Sequence, residues 1–189
     1  VFIDNPGLNL RYAWFAKSAG LRVIYYIAPQ IWAWRPGRMK YIQQRVDQVM
    51  VILPFEEPLY RRVGLPCTFV GHPLLDAVAP HYDRDSLRKQ FGLRPDGRVI
   101  ALLPGSRSAE VRLHLPILLD AAARLLRDDP TMQFLMAQAS TIADELIRPL
   151  LDQSPVPVTV VPEQASEVMA AADFICVASG TATLQAAVV

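Results

Sequence analysis

Two short segments of this 189-residue sequence have residue types that bind phosphate groups. Residues 104–107, Pro-Gly-Ser-Arg, follow an apolar run and precede a helical pattern, so they offer backbone N–H groups and a guanidinium to an anion. Residues 178–181, Ala-Ser-Gly-Thr, again join an apolar run to a helix start and add hydroxyl donors. Each segment alone also fits an ordinary strand-to-helix connection, but two in one unit favour a diphosphate. The fingerprints of dinucleotide-binding enzymes and P-loop nucleotidases, Gly-x-Gly-x-x-Gly and Gly-Lys-[Ser/Thr], do not occur.

Two other residues have side chains suited to proton transfer. Asp4 follows an apolar run at the amino end, and a carboxylate at the end of a strand can act as a general base or cap the next turn. His72, between Gly71 and Pro73, has an imidazole, a side-chain type that suits proton transfer at neutral pH. A hydrogen bond within its own loop is the alternative role for His72.

A metal site is not predicted. The segment Asp83-Arg84-Asp85 has the Asp-x-Asp spacing that some sugar transferases use to hold a divalent ion, but it lies in a linker before a helical stretch, which favours helix capping. The three histidines are widely separated. Cys67 and Cys176 lie far apart in apolar surroundings, which predicts free thiols in a reducing compartment.

An aromatic and basic segment suggests a lipid contact. Trp32, Trp34 and Arg35 lie in residues 31–40 with two more basic residues, a mixture that suits a membrane interface or an anionic head group. Packing of the two tryptophans in a core is the competing interpretation. Nineteen basic and eighteen acidic residues give a net charge of +1, which argues against a nucleic-acid partner.

The elements that position these residues alternate between strands and helices. Apolar residues make up 52% of the chain and charged residues 20%, as in globular proteins. Strands are predicted over residues 21–28, 48–53, 67–70, 99–103, 133–137, 156–161 and 174–177, besides residues 1–3. Helices are predicted over residues 8–19, 38–46, 56–63, 86–91, 115–127, 143–151 and 165–171, with a last helix after residue 181. This alternation predicts an α/β fold with parallel sheets, in two domains over residues 1–80 and 81–189, and a cleft between them.

The ends of the chain predict an internal fragment. The sequence begins without Met in a strand-like run and ends on apolar residues, so both sheets are expected to be incomplete. No apolar run reaches the length of about 20 residues that a membrane-spanning helix needs.

Six segments, read in order, resemble the lipid-A-disaccharide synthases. These segments are residues 2–9, 25–35, 53–56, 69–74, 102–107 and 178–184. The resemblance extends from the first residue to the last, and it rests most on Trp-Ala-Trp-Arg and Leu-Pro-Gly-Ser-Arg, which are both distinctive.

The resemblance implies an inverting glycosyltransferase of the GT-B fold, with two Rossmann-like domains. The implied reaction joins UDP-2,3-diacylglucosamine to 2,3-diacylglucosamine 1-phosphate and releases UDP, with no metal or cofactor. It also implies a peripheral protein on the cytoplasmic face of the bacterial inner membrane, and a homodimer as a candidate assembly of the complete protein. The fragment alone is expected to be inactive.

The resemblance assigns roles to individual residues. Asp4 matches the general base for the acceptor hydroxyl, and Arg107 matches the arginine that serves the UDP phosphates. The other matched substrate-binding residues are Gly105, Ser106, Ser179, Gly180, Thr181 and Gln185. Two residues depart from the family pattern, since Gly7 replaces an aspartate and Gln185 replaces a glutamate. The glutamine lacks the negative charge of a glutamate but keeps one acceptor oxygen.

Two other functions remain open from the sequence. One is another GT-B enzyme that uses UDP-N-acetylglucosamine, such as a transferase or an epimerase. The other is a nucleotide-binding remnant without catalytic activity.

Overall fold

Two parallel four-stranded sheets organise the chain, one in each of two units, Val1–Ala77 and Val78–Val189. The computed structural model describes residues 1–30, 37, 39–79 and 81–189. The units divide three residues before the predicted boundary between residues 80 and 81. The predicted α/β fold with parallel sheets is confirmed.

The sheet of the first unit follows the chain, in the order β1-β2-β3-β4. Its strands are β1 (Phe2–Ile3), β2 (Ile24–Tyr26), β3 (Gln48–Val51) and β4 (Cys67–Phe69). The described helices of this unit are α1 (Pro6–Ser18), α2 (Met39–Arg45), α3 (Glu56–Arg62) and α4 (Leu74–Ala77).

Helix α1 begins after an N-cap residue and has a basic residue, Lys17, in its last turn. Asn5 is the N-cap, its side chain accepts a hydrogen bond from the N–H of Leu8 at 3.4 Å, and Pro6 occupies the first helical position. Leu10 and Ala13 then pack into a core with residues from β2, β3 and β4. This core holds α1 on the sheet, so the β1–α1 loop is fixed at both ends.

The sheet of the second unit has the order β7-β6-β5-β8. Its strands are β5 (Val99–Leu103), β6 (Gln133–Gln138), β7 (Val158–Pro162) and β8 (Phe174–Val177). The helices are α5 (Arg84–Gln90), α6 (Ser108–Asp128), α7 (Asp144–Asp152), α8 (Ala165–Ala171) and α9 (Thr181–Val188).

Strand β5 is buried along its whole length and divides its side chains between two cores. Ile100 and Leu102 pack with residues of α6 and α7 on one face, and Ala101 packs with residues of α8 on the other. Because β5 is covered on both faces, its sequence is continuously apolar and does not alternate with polar residues.

The strand order creates a switch point beside β5. After β5 the chain adds β6 and then β7 on one side, and it returns to place β8 on the other side. Helices that leave β5 and β8 therefore diverge, which opens a crevice at the carboxyl ends of these two strands, where α/β sheets bind ligands.

Helix α6 begins earlier than the sequence predicts. The apolar periodicity predicts a start at Leu115, but the helix begins at Ser108 and continues through Pro116. The first turn is capped by Glu110, and Val111, buried in the core four residues before Leu115, continues the apolar face that the prediction began at Leu115. Helix α4 was not predicted, because it has only four residues and none of them is buried.

Candidate functional site

A cleft of about 540 Å³ lies at the carboxyl edge of the second sheet. Loops that follow all four strands of that sheet line it. The residues predicted to bind the substrate all lie along this cleft, namely Gly105, Ser106, Arg107, Ser179, Gly180, Thr181 and Gln185. Folding thus brings together two segments that are more than seventy residues apart in the sequence.

Gly105 is required by a close approach in the first of these segments. Its φ is +125°, and a Cβ built on it would lie 2.6 Å from Oε2 and 2.8 Å from Cβ of Glu110. No other residue fits here without displacing Glu110.

Glu110 is the residue that sequence reasoning missed. Its Oε2 accepts hydrogen bonds from the backbone N–H groups of Ser106 and Arg107 at 3.2 and 3.3 Å, and its Oε1 accepts one from Nη1 of Arg107 at 2.5 Å. The hydrogen bond from the Arg107 guanidinium is the main cause that lowers the pKa of the Glu110 carboxyl. A glutamate at the third position of a helix is a known capping signal, so the sequence contained the information.

Two further hydrogen bonds brace the same loop. Thr141 Oγ1 donates to the carbonyl oxygen of Ser106 at 2.6 Å, and Nδ1 of His114 donates to that of Pro104 at 2.9 Å. His114, for which the sequence suggested no role, is therefore part of the support of the loop. The Arg107 side chain lies at the rim with 79% of it exposed, and its guanidinium pairs there with Glu110.

The second segment presents its donors differently. Gly180 is the N-cap of α9 and has no side chain to cap it, and no side chain of the described residues makes a cap hydrogen bond to this helix. In contrast, Glu110 already occupies N–H groups of the first segment. The N-terminus of α9 is thus the better receiver of an anion in this cleft, although the sequence suggested the two loops equally.

Two more side chains shape the cleft near α9. Nε2 of Gln185 donates to Oγ of Ser166 at 2.7 Å, which leaves its Oε1 as an acceptor. Glu163, directly after β7, has a left-handed backbone with φ 58° and donates its N–H to the carbonyl oxygen of Gln138 at 2.8 Å. Among the described residues, the ionisable side chains that line the cleft are one arginine and two glutamates, so N–H and hydroxyl donors rather than net positive charge must hold a phosphate there.

Asp4 lies at the carboxyl end of β1 in the first unit, with an exposed side chain. Its N–H donates to the carbonyl oxygen of Tyr26 at 3.0 Å, and its φ is 48°. Asn5, the next residue, is also left-handed with φ 40°. The strand therefore ends in a sharp turn at the predicted base.

The first sheet does not bring His72 to Asp4. These residues follow β4 and β1, which are the opposite edges of the sheet, so about 14 Å separates the two strand ends. Nδ1 of His72 accepts a hydrogen bond from the N–H of Leu74 at 3.1 Å, so the neutral ring carries its proton on Nε2 and is a donor. The loop role of His72 is the one that the structure favours. Trp32, Trp34 and Arg35 lie outside the described residues.

The Asp-x-Asp segment caps a helix. Asp83 is the N-cap of α5 and accepts hydrogen bonds from the N–H and the hydroxyl of Ser86 at 3.3 and 2.6 Å. The predicted capping is confirmed, with Asp83 rather than Asp85 as the cap. Within residues 1–30, 37, 39–79 and 81–189, no three His, Cys, Asp or Glu side chains form a group that would hold a metal ion. In the same part of the chain, no helix combines the length and apolarity needed to cross a membrane.

The fold and the cleft define the class of protein. It is a parallel α/β protein whose cleft, lined by hydrogen-bond donors, lies at the switch point of a sheet. A family model described as lipid-A-disaccharide synthetase matches residues 1–189. The chain belongs to this family, and the resemblance seen in the sequence is confirmed.

Individual relatives show how much of the family sequence is present. The chain is 45% identical to the lipid-A-disaccharide synthase of Trichlorobacter lovleyi over 189 residues. This alignment covers 100% of the chain and 49% of the relative. The chain is 43% identical over 187 residues to the synthase of Nitrosococcus oceani, covering 99% of the chain and 48% of the relative. The chain thus spans about half the length of these curated relatives.

Among solved structures, the chain is similar to a glycosyl transferase family 9 protein from Veillonella parvula. The TM-score is 0.39 and the sequence identity 13%, over 93% of this chain and 74% of that one. A likeness of this size carries no argument, so the fold assignment rests on the strand order described above.

Proposed function

We propose that this chain supplies the donor-phosphate cleft and the general base of a lipid-A-disaccharide synthase. The reaction joins UDP-2,3-diacylglucosamine to 2,3-diacylglucosamine 1-phosphate and gives the lipid A disaccharide 1-phosphate and UDP. The observation that carries the proposal is the cleft, in which all the matched substrate-binding residues lie together in a chain that the family model covers completely.

In this proposal the second unit receives the diphosphate. The N–H groups at the start of α9 and the hydroxyls of Ser179 and Thr181 bind phosphate oxygens. The guanidinium of Arg107 adds a charge-assisted hydrogen bond from the rim. As the bond between the anomeric carbon and the phosphate oxygen breaks, the negative charge that develops on UDP is stabilised by these donors.

The first unit takes the proton. The acceptor hydroxyl oxygen forms a bond to the anomeric carbon on the face opposite to the leaving diphosphate, so the configuration inverts. Its proton goes to the Asp4 carboxylate, and the electron pair of the broken bond leaves with UDP. In this scheme the protein donors stabilise the charge on the leaving diphosphate, and no step is assigned to a metal ion.

We also propose that the protein works at the cytoplasmic face of the inner membrane. Both substrates carry acyl chains, and α1 exposes Leu8, Tyr12 and Phe15 at the spacing of one helix face. Arg11 on the same helix is exposed and suits anionic head groups. Phe15→Asp is expected to weaken cosedimentation with phosphatidylglycerol vesicles, and unchanged cosedimentation would contradict a contact through this face.

The experiment that tests the proposed function is UDP release by a full-length protein that contains these 189 residues. The acylated UDP-sugar is offered with the acylated sugar phosphate, and then with a deacylated acceptor. We expect release only with the acylated acceptor. Equal release with both acceptors would favour another UDP-sugar enzyme, and UDP binding without release would favour a non-catalytic protein.

A further inference from the structure

The backbone at Asp4 is in a conformation that needs support. Asp4 and Asn5 are consecutive left-handed residues, with φ values of 48° and 40°. Left-handed residues other than glycine are strained and persist only where the surroundings enforce them. Since Asp and Asn tolerate this region better than other residues, the sequence permits the turn but does not impose it.

Three hydrogen bonds enforce this turn, and they come from two side chains. Nδ2 of Asn9 donates to the carbonyl oxygens of Ile3 at 2.8 Å and Asp4 at 2.7 Å. The hydroxyl of Tyr25 donates to the same Asp4 carbonyl at 2.5 Å. The Asp4 carbonyl therefore accepts from α1 and from β2 at once, which locks the peptide between Asp4 and Asn5.

The two donors lie on α1 and β2, which pack into the same core. Tyr25 is completely buried, and its strand is paired so that Phe2 lies opposite it. Burial is the main cause that raises the pKa of Tyr25 to about 12. Its hydrogen bond with Asn9 opposes the rise and the Asp4 charge adds to it, so the hydroxyl keeps its proton. Asn9 is a poor helix former, and its side chain donates to these carbonyls from the first turns of α1 instead of facing solvent.

None of these donors is directed at the Asp4 carboxylate, which stays exposed. A hydrogen bond to a carboxylate would stabilise its charged form and weaken it as a base. Donation to the backbone instead fixes the main chain from which the side chain projects and leaves the carboxylate oxygens to the acceptor hydroxyl.

We propose that Asn9 and Tyr25 are positioning residues for the transfer reaction, which hold Asp4 in the left-handed conformation that presents its carboxylate to the acceptor hydroxyl. This inference rests on the proposed function, in which Asp4 is the base.

The test compares kcat and KM of Asn9→Ala and Tyr25→Phe in the full-length protein that contains this chain. A small misplacement of a reacting group lowers rates by up to about 100-fold, so we expect kcat to fall about 10- to 100-fold in each variant. The KM for the UDP-sugar is expected to stay within about twofold, because the donor cleft belongs to the other unit. Ser18→Ala is the matched control, since it removes a side-chain bond to the Trp14 carbonyl of the same helix and is expected to leave kcat unchanged.

A second arm separates positioning from simple loss of structure. If Asn9 acts only through Asp4, Asn9→Ala lowers kcat in the wild-type background and has no further effect in an Asp4→Asn background. An equal fall in both backgrounds, or wild-type kcat in both Asn9→Ala and Tyr25→Phe, overturns the inference. If Asn9→Ala unfolds, Tyr25→Phe still tests the inference, because it keeps the buried ring and removes only the hydroxyl that donates to the Asp4 carbonyl oxygen. Wild-type turnover of Asp4→Asn itself would overturn the proposed base, whatever the Asn9 variants show.

Discussion

The β1–α1 loop and the β5–α6 loop are built on the same plan and stabilised in opposite ways. In the first, side-chain donors from Asn9 and Tyr25 bind backbone carbonyl oxygens, and the Asp4 carboxylate is left exposed. In the second, the Glu110 carboxylate binds backbone N–H groups, and the Arg107 guanidinium is left exposed. In both loops a residue in the first turns of the following helix holds the loop backbone, while the loop residue itself supplies the carboxylate or the guanidinium.

The largest effect is expected at the exposed carboxylate. Asp4→Asn keeps the size of the side chain and its tolerance of the left-handed region, but it cannot take a proton. General bases contribute about 100- to 10,000-fold, so we expect kcat to fall at least about 100-fold while UDP binding is unchanged. Steady-state kinetics of the full-length protein measure this, with the exposed Asp76→Asn as the control. A kcat within threefold of wild type would contradict the role of the first loop.

The next effect is expected at the exposed guanidinium. A hydrogen bond to a charged group contributes about 1.5–3 kcal/mol, so Arg107→Ala is expected to raise the Kd for UDP about 10- to 100-fold. Arg107→Lys keeps the charge without the fork and is expected to restore part of the affinity. Isothermal titration calorimetry measures both, and Arg112→Ala, an exposed arginine one turn later in α6, serves as the control. Equal losses for Arg107→Ala and Arg112→Ala would mean that only the general charge of the helix matters.

A smaller effect tests the comparison itself, at Glu110. Gln accepts a hydrogen bond from an N–H group but lacks the charge that holds the guanidinium, so Glu110→Gln is expected to raise the Kd for UDP about 3- to 10-fold. The exposed Glu145→Gln in α7 is the matched control in the same titration. Tighter binding of UDP to Glu110→Gln would show instead that this carboxylate competes with the diphosphate for the loop.

The smallest effect on binding is expected from a carboxylate outside both loops. Asp173 accepts from the N–H of Val99 at 2.7 Å and pairs with Arg84 and Arg88 of α5. Burial alone would raise the pKa of Asp173, but the hydrogen bonds from Val99 and Arg88 and the two positive charges outweigh it and lower the pKa. We expect Asp173→Asn to lower the free energy of unfolding by about 1–2 kcal/mol at pH 7 without changing the Kd for UDP.

The stabilisation by Asp173 is expected to depend on pH. Because folding lowers the pKa of Asp173, its stabilisation is complete above the ordinary value of 3.8 and disappears as the pH falls below it. Urea unfolding of wild type and Asp173→Asn should therefore differ at pH 7 and converge below that value. Asp152→Asn, at an exposed position, should match wild type throughout. A difference that persists at low pH would assign the effect to packing rather than to charge.

The sequence predicted the strands well because buried parallel strands are continuous apolar runs. Residues 99–103 and 174–177 were predicted with the bounds that the structure has. Both loops of the cleft were also predicted, because two segments with N–H and hydroxyl donors follow strands of the same unit, although each alone also fits an ordinary turn. The start of α6 was missed because the capping role of Glu110 was not recognised, although Val111 extends the buried face of the helix toward its first turn.

The contacts that distinguish the two loops depend on distance in space. Asn9 and Tyr25 meet at Asp4 only because β1 and β2 pair in the register that places Phe2 beside Tyr25, and one sequence does not give a register. Likewise His72 and Asp4 both end strands, and only the strand order shows that they lie at opposite edges. From the sequence, the backbone N–H groups of residues 105–107 and of residues 179–181 were equally good candidates to bind a phosphate. In the structure, Glu110 already accepts hydrogen bonds from two N–H groups of the first segment.

UDP release by the full-length protein that contains this chain tests the central claim most directly. With the acylated UDP-sugar as donor, the account predicts release that requires the acylated sugar phosphate and is abolished by Asp4→Asn, although that variant still binds UDP. Release that is independent of the acceptor's acyl chains, or that survives in Asp4→Asn, would contradict the account.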